Sequence, residues 1–226
     1  MKPLLEKLLS IPKSFWVSIH YFPLTEALKL PIMVRYNTCL LSVGGKIIIR
    51  DKSEGKILSF GFGGVGIFDK KYERSIWEIN GTIELSGRVV FGHGSRLSVG
   101  KDAVVSIGTN FSNTAAMTLV SQKRIVIGDN VTTSWNTLVM DTDWHPVINL
   151  KNKETYSVSK DIIIGNNEWL CTRSVILKGC VIPDGCIVGA NSLCSKAFSS
   201  ENSVIAGNPI GGACMMEGED TESEDG

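Results

Sequence analysis

Apolar side chains recur every six residues in the C-terminal half of the chain. A small residue usually follows each apolar position four places later, and Gly or Pro often follows it directly. A period of six fits neither a helix, at 3.6 residues per turn, nor simple strand alternation, at two. It is typical of short strands joined by tight turns in a solenoid. The apolar positions are Ile164, Leu170, Ile176, Ile182, Val188 and Cys194.

Three such units make one coil of about 18 residues, so side chains 18 positions apart should stack in the core. This predicts contacts of Ile164 with Ile182, of Leu170 with Val188 and of Ile176 with Cys194. The same pattern continues upstream with looser spacing, in FGHGS, VGKDA, IGTNF and IGDNV. The repeat therefore runs from about residue 79 to residue 207, and it predicts an all-β protein built as a parallel β-helix.

One stretch of about 20 residues, from Asp141 to Asp161, breaks the repeat and contains the motif DTDWHPV. A long loop that leaves a regular scaffold is more often functional than decorative. The loop carries His145, and an imidazole can accept a proton near neutral pH. A general base also needs an orienting partner, which either Asp141 or Asp143 could supply.

The two ends of the chain differ from the repeat. LLEKLLSI has the apolar spacing of a helix and GKIIIR that of a short strand, so residues 1–56 are predicted to cap the open end of the solenoid. Docking of this helix on a membrane surface is the less favoured alternative. Residues 57–210 are predicted to form the β-helix domain. Residues 211–226, which are acidic and poor in apolar side chains after Met216, are predicted to be a disordered tail.

The composition of the chain argues against several classes of function. The 226 residues carry 23 basic and 23 acidic side chains, and six of the acidic ones lie in the last ten positions. The small positive surplus elsewhere is dispersed, so nucleic acid is not an expected partner. The six cysteines form no CxxC pair, which predicts free thiols and no structural metal. Without a secretory leader or an apolar run of spanning length, we expect a cytoplasmic protein.

The ordered motifs HPV (145–147), IGNNEW (164–169), ILKGCVIPDG (176–185), IVGANS (187–192) and IAGNP (205–209) resemble those of the hexapeptide-repeat acyltransferases. That family includes galactoside and maltose acetyltransferases and polysaccharide O-acetyltransferases. The resemblance covers about residues 79–209. It implies a left-handed coil, a homotrimer with active sites between subunits and acetyl-CoA as co-substrate. No metal is expected, because the Cys and His residues lack ligand spacing.

The resemblance also implies roles for individual residues. His145 matches the catalytic base. Asn113 and Thr114 lie where the family places an acceptor-orienting Asn, and Trp144 would either wall the acceptor pocket or pack under the loop. Cofactor-binding roles fall on Trp169 beside the pantetheine arm, Thr172 near the thioester carbonyl, and Ser195 and Lys196 near the nucleotide end of CoA.

Alternatives stay open for several of these roles. Trp169 could instead pack on a neighbouring subunit, and Lys196 could be a solvated surface lysine. The predicted function is acyl-CoA-dependent O-acetylation of a sugar or polysaccharide precursor. A non-catalytic β-helix scaffold is the main alternative, because Thr114 and the segment after IAGNP depart from the family pattern. A zinc enzyme on the same solenoid would have to use His20, His93 and His145, none of which has ligand spacing.

Overall fold

The computed structural model describes residues 3–50, 57–149, 151, 153–208 and 210–215. Two helices open the chain, α1 (Pro3–Tyr21) and α2 (Leu24–Ala27), and strands follow to the end of the described residues. The strands fall into three parallel stacks, here called sheets 1, 2 and 3, plus one antiparallel pair.

The strands of each sheet are as follows. Sheet 1 contains β1 (Ile32–Val34), β4 (Leu58–Phe62), β7 (Val89–Gly92), β10 (Phe111–Asn113), β13 (Thr132–Thr133), β18 (Trp169–Leu170), β21 (Ile187–Val188), β23 (Ser203–Gly207) and β24 (Ile210–Met215). Sheet 2 contains β2 (Cys39–Ser42), β5 (Ile76–Ile79), β8 (Arg96–Val99), β11 (Thr118–Ser121), β14 (Leu138–Met140), β19 (Val175–Leu177) and β22 (Leu193–Cys194). Sheet 3 contains β3 (Lys46–Ile49), β6 (Thr82–Leu85), β9 (Val104–Ile107), β12 (Arg124–Ile127), β17 (Ile162–Ile164) and β20 (Val181–Ile182). The antiparallel pair is β15 (Val147–Ile148) with β16 (Thr155–Tyr156).

Successive strands visit sheets 1, 2 and 3 in turn, and each strand pairs in parallel with its counterpart one coil away. This is a parallel β-helix, as the six-residue period predicted. The predicted stacking is confirmed, since Ile164 pairs with Ile182, Leu170 with Val188 and Ile176 with Cys194. These side chains are almost fully buried because a residue every six positions points to the axis of the coil.

The size of the core side chains changes along the axis. In the early coils it holds a chain of aromatic rings, with Phe60 edge-on to Trp77 at 5.1 Å and Phe91 5.1 Å from Phe111. The last coils replace such bulk with small thiols, and Cys180, Cys186 and Cys194 are all fully buried. The five cysteines at 39, 171, 180, 186 and 194 are free, as predicted for the described part of the chain.

Asparagine shapes one row of turns between coils. Asn110, Asn130 and Asn167 adopt positive φ values of 57°, 56° and 58°, a conformation that Asn tolerates better than most residues. Their side chains also bond along the axis: Asn110 Nδ2 donates to Asn130 Oδ1, and Asn130 Nδ2 donates to Asn167 Oδ1, each at 3.1 Å. The IGTN, IGDN and IGNN sequence units thus supply both a turn and a stacking contact.

The N-terminal helix and the GKIIIR strand are present as predicted, but the coil begins earlier than expected. Strands β1, β2 and β3 form a complete first coil that pairs with β4, β5 and β6. The first boundary of the predicted division, at residue 57, therefore falls after the first coil, which begins at Ile32. The six-residue period does not show this coil, because segments that join the early strands are long, as between β4 and β5. Helix α1 packs against β1.

The C-terminal end is closed by a hairpin in which β24 runs antiparallel to β23. Residues 211–215 were predicted as the start of a disordered tail, and in the structure they belong to β24 instead. An antiparallel partner pairs the last edge of sheet 1, and the acidic residues on which the tail prediction depended begin only after this segment. The acidic stretch 216–226 lies outside the described residues.

Candidate active site

The loop predicted between residues 141 and 161 leaves the coil between β14 on sheet 2 and β17 on sheet 3. Its two sides bond to each other near its base: Asp143 N donates to Val158 O at 2.9 Å, and Lys160 N donates to Asp141 O at 3.0 Å. Further out, β15 and β16 extend the ladder. We call residues 141–161 the arm. It is a projecting hairpin rather than a loose connection.

His145 lies on the outgoing side of the arm and is exposed to solvent. Its backbone N–H donates to Asp143 O at 2.7 Å, and the preceding Trp144 takes a positive φ of 61°. Trp144 N in turn donates to Thr142 Oγ1 at 3.0 Å. The imidazole makes no hydrogen bond to the described residues, so both ring nitrogens are open to a ligand. Trp144 is also exposed.

Asp141 has a structural environment. Its buried carboxylate accepts hydrogen bonds from Ser121 Oγ at 2.7 Å, from Gln122 N at 2.7 Å and from Lys123 N at 3.0 Å. These bonds cap the turn that follows β11 in the preceding coil. The side chain of Asp141 therefore binds backward along the coil and not toward His145.

Asp143 is engaged by a residue that the sequence did not single out. Its carboxylate forms an ion pair with Lys178, whose Nζ also donates to Ser157 O at 2.5 Å. Lys178 follows β19 in the next coil and is more buried than Asp143, with 19% against 41% of the side chain exposed. One ammonium group thus ties both sides of the arm to the coil. No local sequence signal marks this role, because the contact joins residues that are far apart in the chain.

Asn113 and Thr114, predicted to bind the acceptor, are bonded within the coil. Asn113 is buried, its Oδ1 accepts from Ser95 Oγ at 2.9 Å, and its Nδ2 donates to Thr133 Oγ1 at 2.8 Å. Thr114 Oγ1 donates to Thr133 O at 3.2 Å. Both side chains stabilise the stacking of β10 on β13, and only Thr114 keeps part of its surface open.

Trp169 and Thr172, predicted to contact CoA, lie together near the turn between sheets 1 and 2. The indole of Trp169 is about half exposed, and its Nε1 donates to Ser134 Oγ at 3.2 Å. Thr172 Oγ1 donates to Trp135 O at 3.0 Å. These bonds fix an aromatic side chain and a hydroxyl side by side on the outside of two neighbouring coils.

Ser195 and Lys196 follow β22 and are exposed. The ammonium group of Lys196 lies 5.6 Å from the centre of the Phe198 ring, a cation–π distance. These two residues leave sheet 2 toward sheet 3, as the arm does, but two coils further on. The predicted residues therefore lie on two edges of the coil. The arm, Ser195 and Lys196 lie on the edge between sheets 2 and 3, whereas Trp169 and Thr172 lie on the edge between sheets 1 and 2.

Glu168 is the most perturbed carboxyl group near these residues. Its side chain is only 2% exposed, and Oε1 accepts from Cys186 N at 3.2 Å. Burial, together with the negative charge of nearby Asp184, raises the pKa of Glu168 to about 8. The carboxyl group is then mostly protonated at neutral pH.

The three histidines occupy separate environments. His20 Nδ1 bonds to Trp16 O on α1 at 2.7 Å, and buried His93 Nδ1 accepts from Arg35 Nη1 at 2.7 Å. Burial and the Arg35 charge lower the pKa of His93. Within the described ranges, no group of three or more His, Cys, Asp and Glu side chains could hold a metal ion. Of the helices in those ranges, none has the length and apolar character needed to cross a membrane.

Comparison with solved structures defines the class of fold. The chain aligns with the crystal structure of the polySia specific acetyltransferase NeuO at a TM-score of 0.51 and 18% identity, over 84% of this chain and 76% of that one. This match shows a shared fold and confirms the predicted left-handed parallel β-helix. No protein-family model matches the chain.

Sequence relatives are more specific. Over 123 residues the chain is 36% identical to the galactoside O-acetyltransferase of Escherichia coli, a stretch that covers 54% of this chain and 55% of that protein. Over 63 residues it is 38% identical to the polysialic acid O-acetyltransferase of Neisseria meningitidis, covering 28% and 29% of the two proteins. The aligned stretch thus spans about half the length of the first relative. The resemblance to hexapeptide-repeat acetyltransferases is confirmed.

Proposed function

We propose that this protein is an acyl-CoA-dependent O-acetyltransferase that transfers an acetyl group to a hydroxyl of a sugar or polysaccharide precursor. The observation that carries the proposal is His145, whose unbonded imidazole projects from a pinned arm on a coil similar to O-acetyltransferases. A surface histidine without a functional role would not require an arm with ladder bonds and an ion pair at its base.

The chemistry needs one base at the acceptor hydroxyl. That oxygen attacks the thioester carbonyl while the imidazole of His145 takes its proton, and a tetrahedral oxyanion forms. The intermediate then collapses, the carbon–sulfur bond breaks, and the imidazolium returns the proton to the departing CoA thiolate. The products are the acetyl ester and free CoA, and the base is restored without a covalent enzyme intermediate.

The two aspartates take different parts in this proposal. Asp141 holds the base of the arm through the bonds from Ser121, Gln122 and Lys123. Asp143 holds the arm against Lys178, and its carbonyl oxygen fixes the His145 backbone. The imidazole is therefore positioned by the main chain, and the approaching acceptor or a neighbouring subunit would complete its hydrogen bonding.

The separation of the predicted residues on two edges supports assembly of the site from two copies. An arm on one subunit could meet Trp169 and Thr172 of a neighbour, as in the homotrimer that the resemblance implies. Acetyl-CoA as co-substrate then lies along the coils, with Trp169 beside its pantetheine arm and Ser195 and Lys196 toward its nucleotide. Trp144 borders the acceptor, while Asn113 and Thr114 shape the coil below it.

The test begins with calorimetric titration of acetyl-CoA into the purified protein, followed by a screen of sugar acceptors. We expect micromolar binding with one site per subunit. His145→Ala should keep donor binding and lose activity by about 10²–10⁴-fold, because a general base contributes that much. His20→Ala, which removes an exposed histidine from α1, is the matched control. Unchanged turnover in His145→Ala would exclude His145 as the general base and contradict the proposed function.

A second candidate is a non-catalytic β-helix scaffold. The internal bonding of Asn113, which leaves its amide no free group for an acceptor, favours this alternative. The same titration separates the two, because a scaffold would bind no acetyl-CoA even at millimolar concentration.

A further inference from the structure

Helix α1 faces the coil with small polar side chains. Ser10, Ser14 and Ser18 are buried at successive helical turns. Ser14 Oγ accepts from Val34 N at 2.9 Å, and Ser10 Oγ accepts from Tyr36 N at 3.0 Å. These hydroxyls bond to backbone groups of the first coil at its open edge. The side of α1 that caps the coil thus consists of these serines and the buried Val17, and none of the helix's leucines is buried.

The outward side of α1 is apolar, the reverse of an ordinary surface helix. Exposure of these side chains ranges from 40% for Ile11 to 71% for Leu4. Two further leucines on and just after α2, Leu24 and Leu28, are more than 60% exposed. Exposing this apolar surface to water costs free energy. A helix that only capped the coil would gain nothing in return. We call it the apolar surface of α1; it comprises Leu4, Leu5, Leu8, Leu9, Ile11, Trp16 and Ile19.

The surroundings of this surface carry positive charge. Lys7 and Lys29 are exposed, and the acidic residues of α1 and α2 are Glu6 and Glu26. Glu6 forms an ion pair with buried Arg35 at 2.6 Å, and its side chain is only 15% exposed. Glu26 is half-buried, so the exposed charges of residues 4–29 are those of Lys7 and Lys29.

A cavity of about 470 Å³ opens beside the first turns of α1. Its charged lining consists of Lys7, Lys70, Arg88 and Glu6, of which Glu6 is paired with Arg35, and its apolar floor includes Met33 and Val89. Cations over an apolar floor suit a phosphate group attached to hydrocarbon, as in the headgroup region of a phospholipid. The cavity and the apolar surface are therefore complementary to the same kind of partner.

We propose that the apolar surface of α1 docks on an anionic phospholipid bilayer, with the helix lying in the plane of the interface. A helix with Leu and Trp on one side and Lys at its border is typical of interfacial membrane binding. A protein partner would ordinarily meet a mixture of apolar and hydrogen-bonding side chains. The proposal does not depend on the acetyltransferase activity.

The experiment is co-sedimentation of the full chain with vesicles of phosphatidylcholine alone and with about 30% phosphatidylglycerol. We expect binding to the anionic vesicles that weakens at high salt, since exposed lysines contribute by screened attraction. Replacing Leu4 and Leu8 together by Gln should weaken binding about tenfold or more. Replacing Lys7 and Lys70 together by Gln should remove most of the preference for anionic lipid. The matched control, Leu41→Gln with Ile67→Gln, changes exposed apolar residues elsewhere and should bind as the parent does.

Two results would overturn the proposal. One is failure of the parent protein to sediment with either vesicle. The other is equal binding by the parent and the Leu4/Leu8 variant. Light scattering of the same samples identifies the competing occupant, because a fall in oligomeric mass of that variant without any vesicle binding would assign the surface to a second copy of the chain.

Discussion

The buried carboxyl group of Glu168 should make the protein lose stability as pH rises from about 5 to 8. In the folded chain, burial raises its pKa to about 8 from an ordinary value of 4.5. The unfolded chain exposes the group and gives up its proton near the ordinary value. Between the two values the folded state holds one proton more than the unfolded state, so the free energy of unfolding falls with pH.

The size of the effect follows from the same difference. Each pH unit inside the window lowers the free energy of unfolding by at most about 1.36 kcal/mol, or about 4 kcal/mol between pH 5 and 8. The amide of Cys186 donates to Oε1 and stabilises the carboxylate, which opposes the effect of burial. We therefore expect a measured loss of about 2 kcal/mol. The contribution is fully present below about pH 4.5 and is lost above about pH 8.

Urea unfolding at several pH values between 5 and 8 measures this loss. Glu168→Gln keeps the shape of the side chain without a titrating group, so its stability relative to the parent should rise across the window. Glu201→Gln, at an exposed position, is the control for the general pH dependence of the protein. Parallel stability curves for the parent and Glu168→Gln would refute the reasoning.

Two further predictions concern the arm. Asp141→Asn replaces one acceptor oxygen by an N–H donor that faces Ser121 and Lys123, so the free energy of unfolding should fall by about 3 kcal/mol. Urea unfolding measures this loss, and a loss below about 1 kcal/mol would contradict the structural role of Asp141. Lys178→Met keeps the apolar stem but frees Asp143 and Ser157, so hydrogen exchange in the arm should accelerate and kcat should fall about tenfold with little change in KM for acetyl-CoA. Lys178→Arg should restore part of kcat, and an unchanged exchange rate in Lys178→Met would exclude the anchoring role.

The fold was predictable wherever the period survived. From Ile164 onward every leading residue could be assigned to the core, because coils without insertions keep the same position in every turn. The first coil could not be predicted, because the connections between the early coils vary in length. This variation removes the period even though the strands still pair. Regular pairing can therefore persist where the sequence no longer shows it.

The candidate site was predictable only in part. The arm and His145 could be found because a break in a repeat is visible along the sequence. The choice between Asp141 and Asp143 could not be made, since both precede His145 closely and only their partners in other coils distinguish them. Lys178 could not have been found at all. Its role depends on two residues of the arm that reach it through space.

The buried thiols in the last coils also allow the opening of those coils to be measured in the native protein. Cys180 and Cys194 are neighbours in the core, and their hydrogen bond, with burial, raises the pKa of the Cys180 thiol. Neither they nor Cys186 can meet an alkylating reagent while the last coils are closed. The rate at which they are labelled in the native protein therefore measures how often those coils open, and partly exposed Cys171 supplies an internal reference for the reagent.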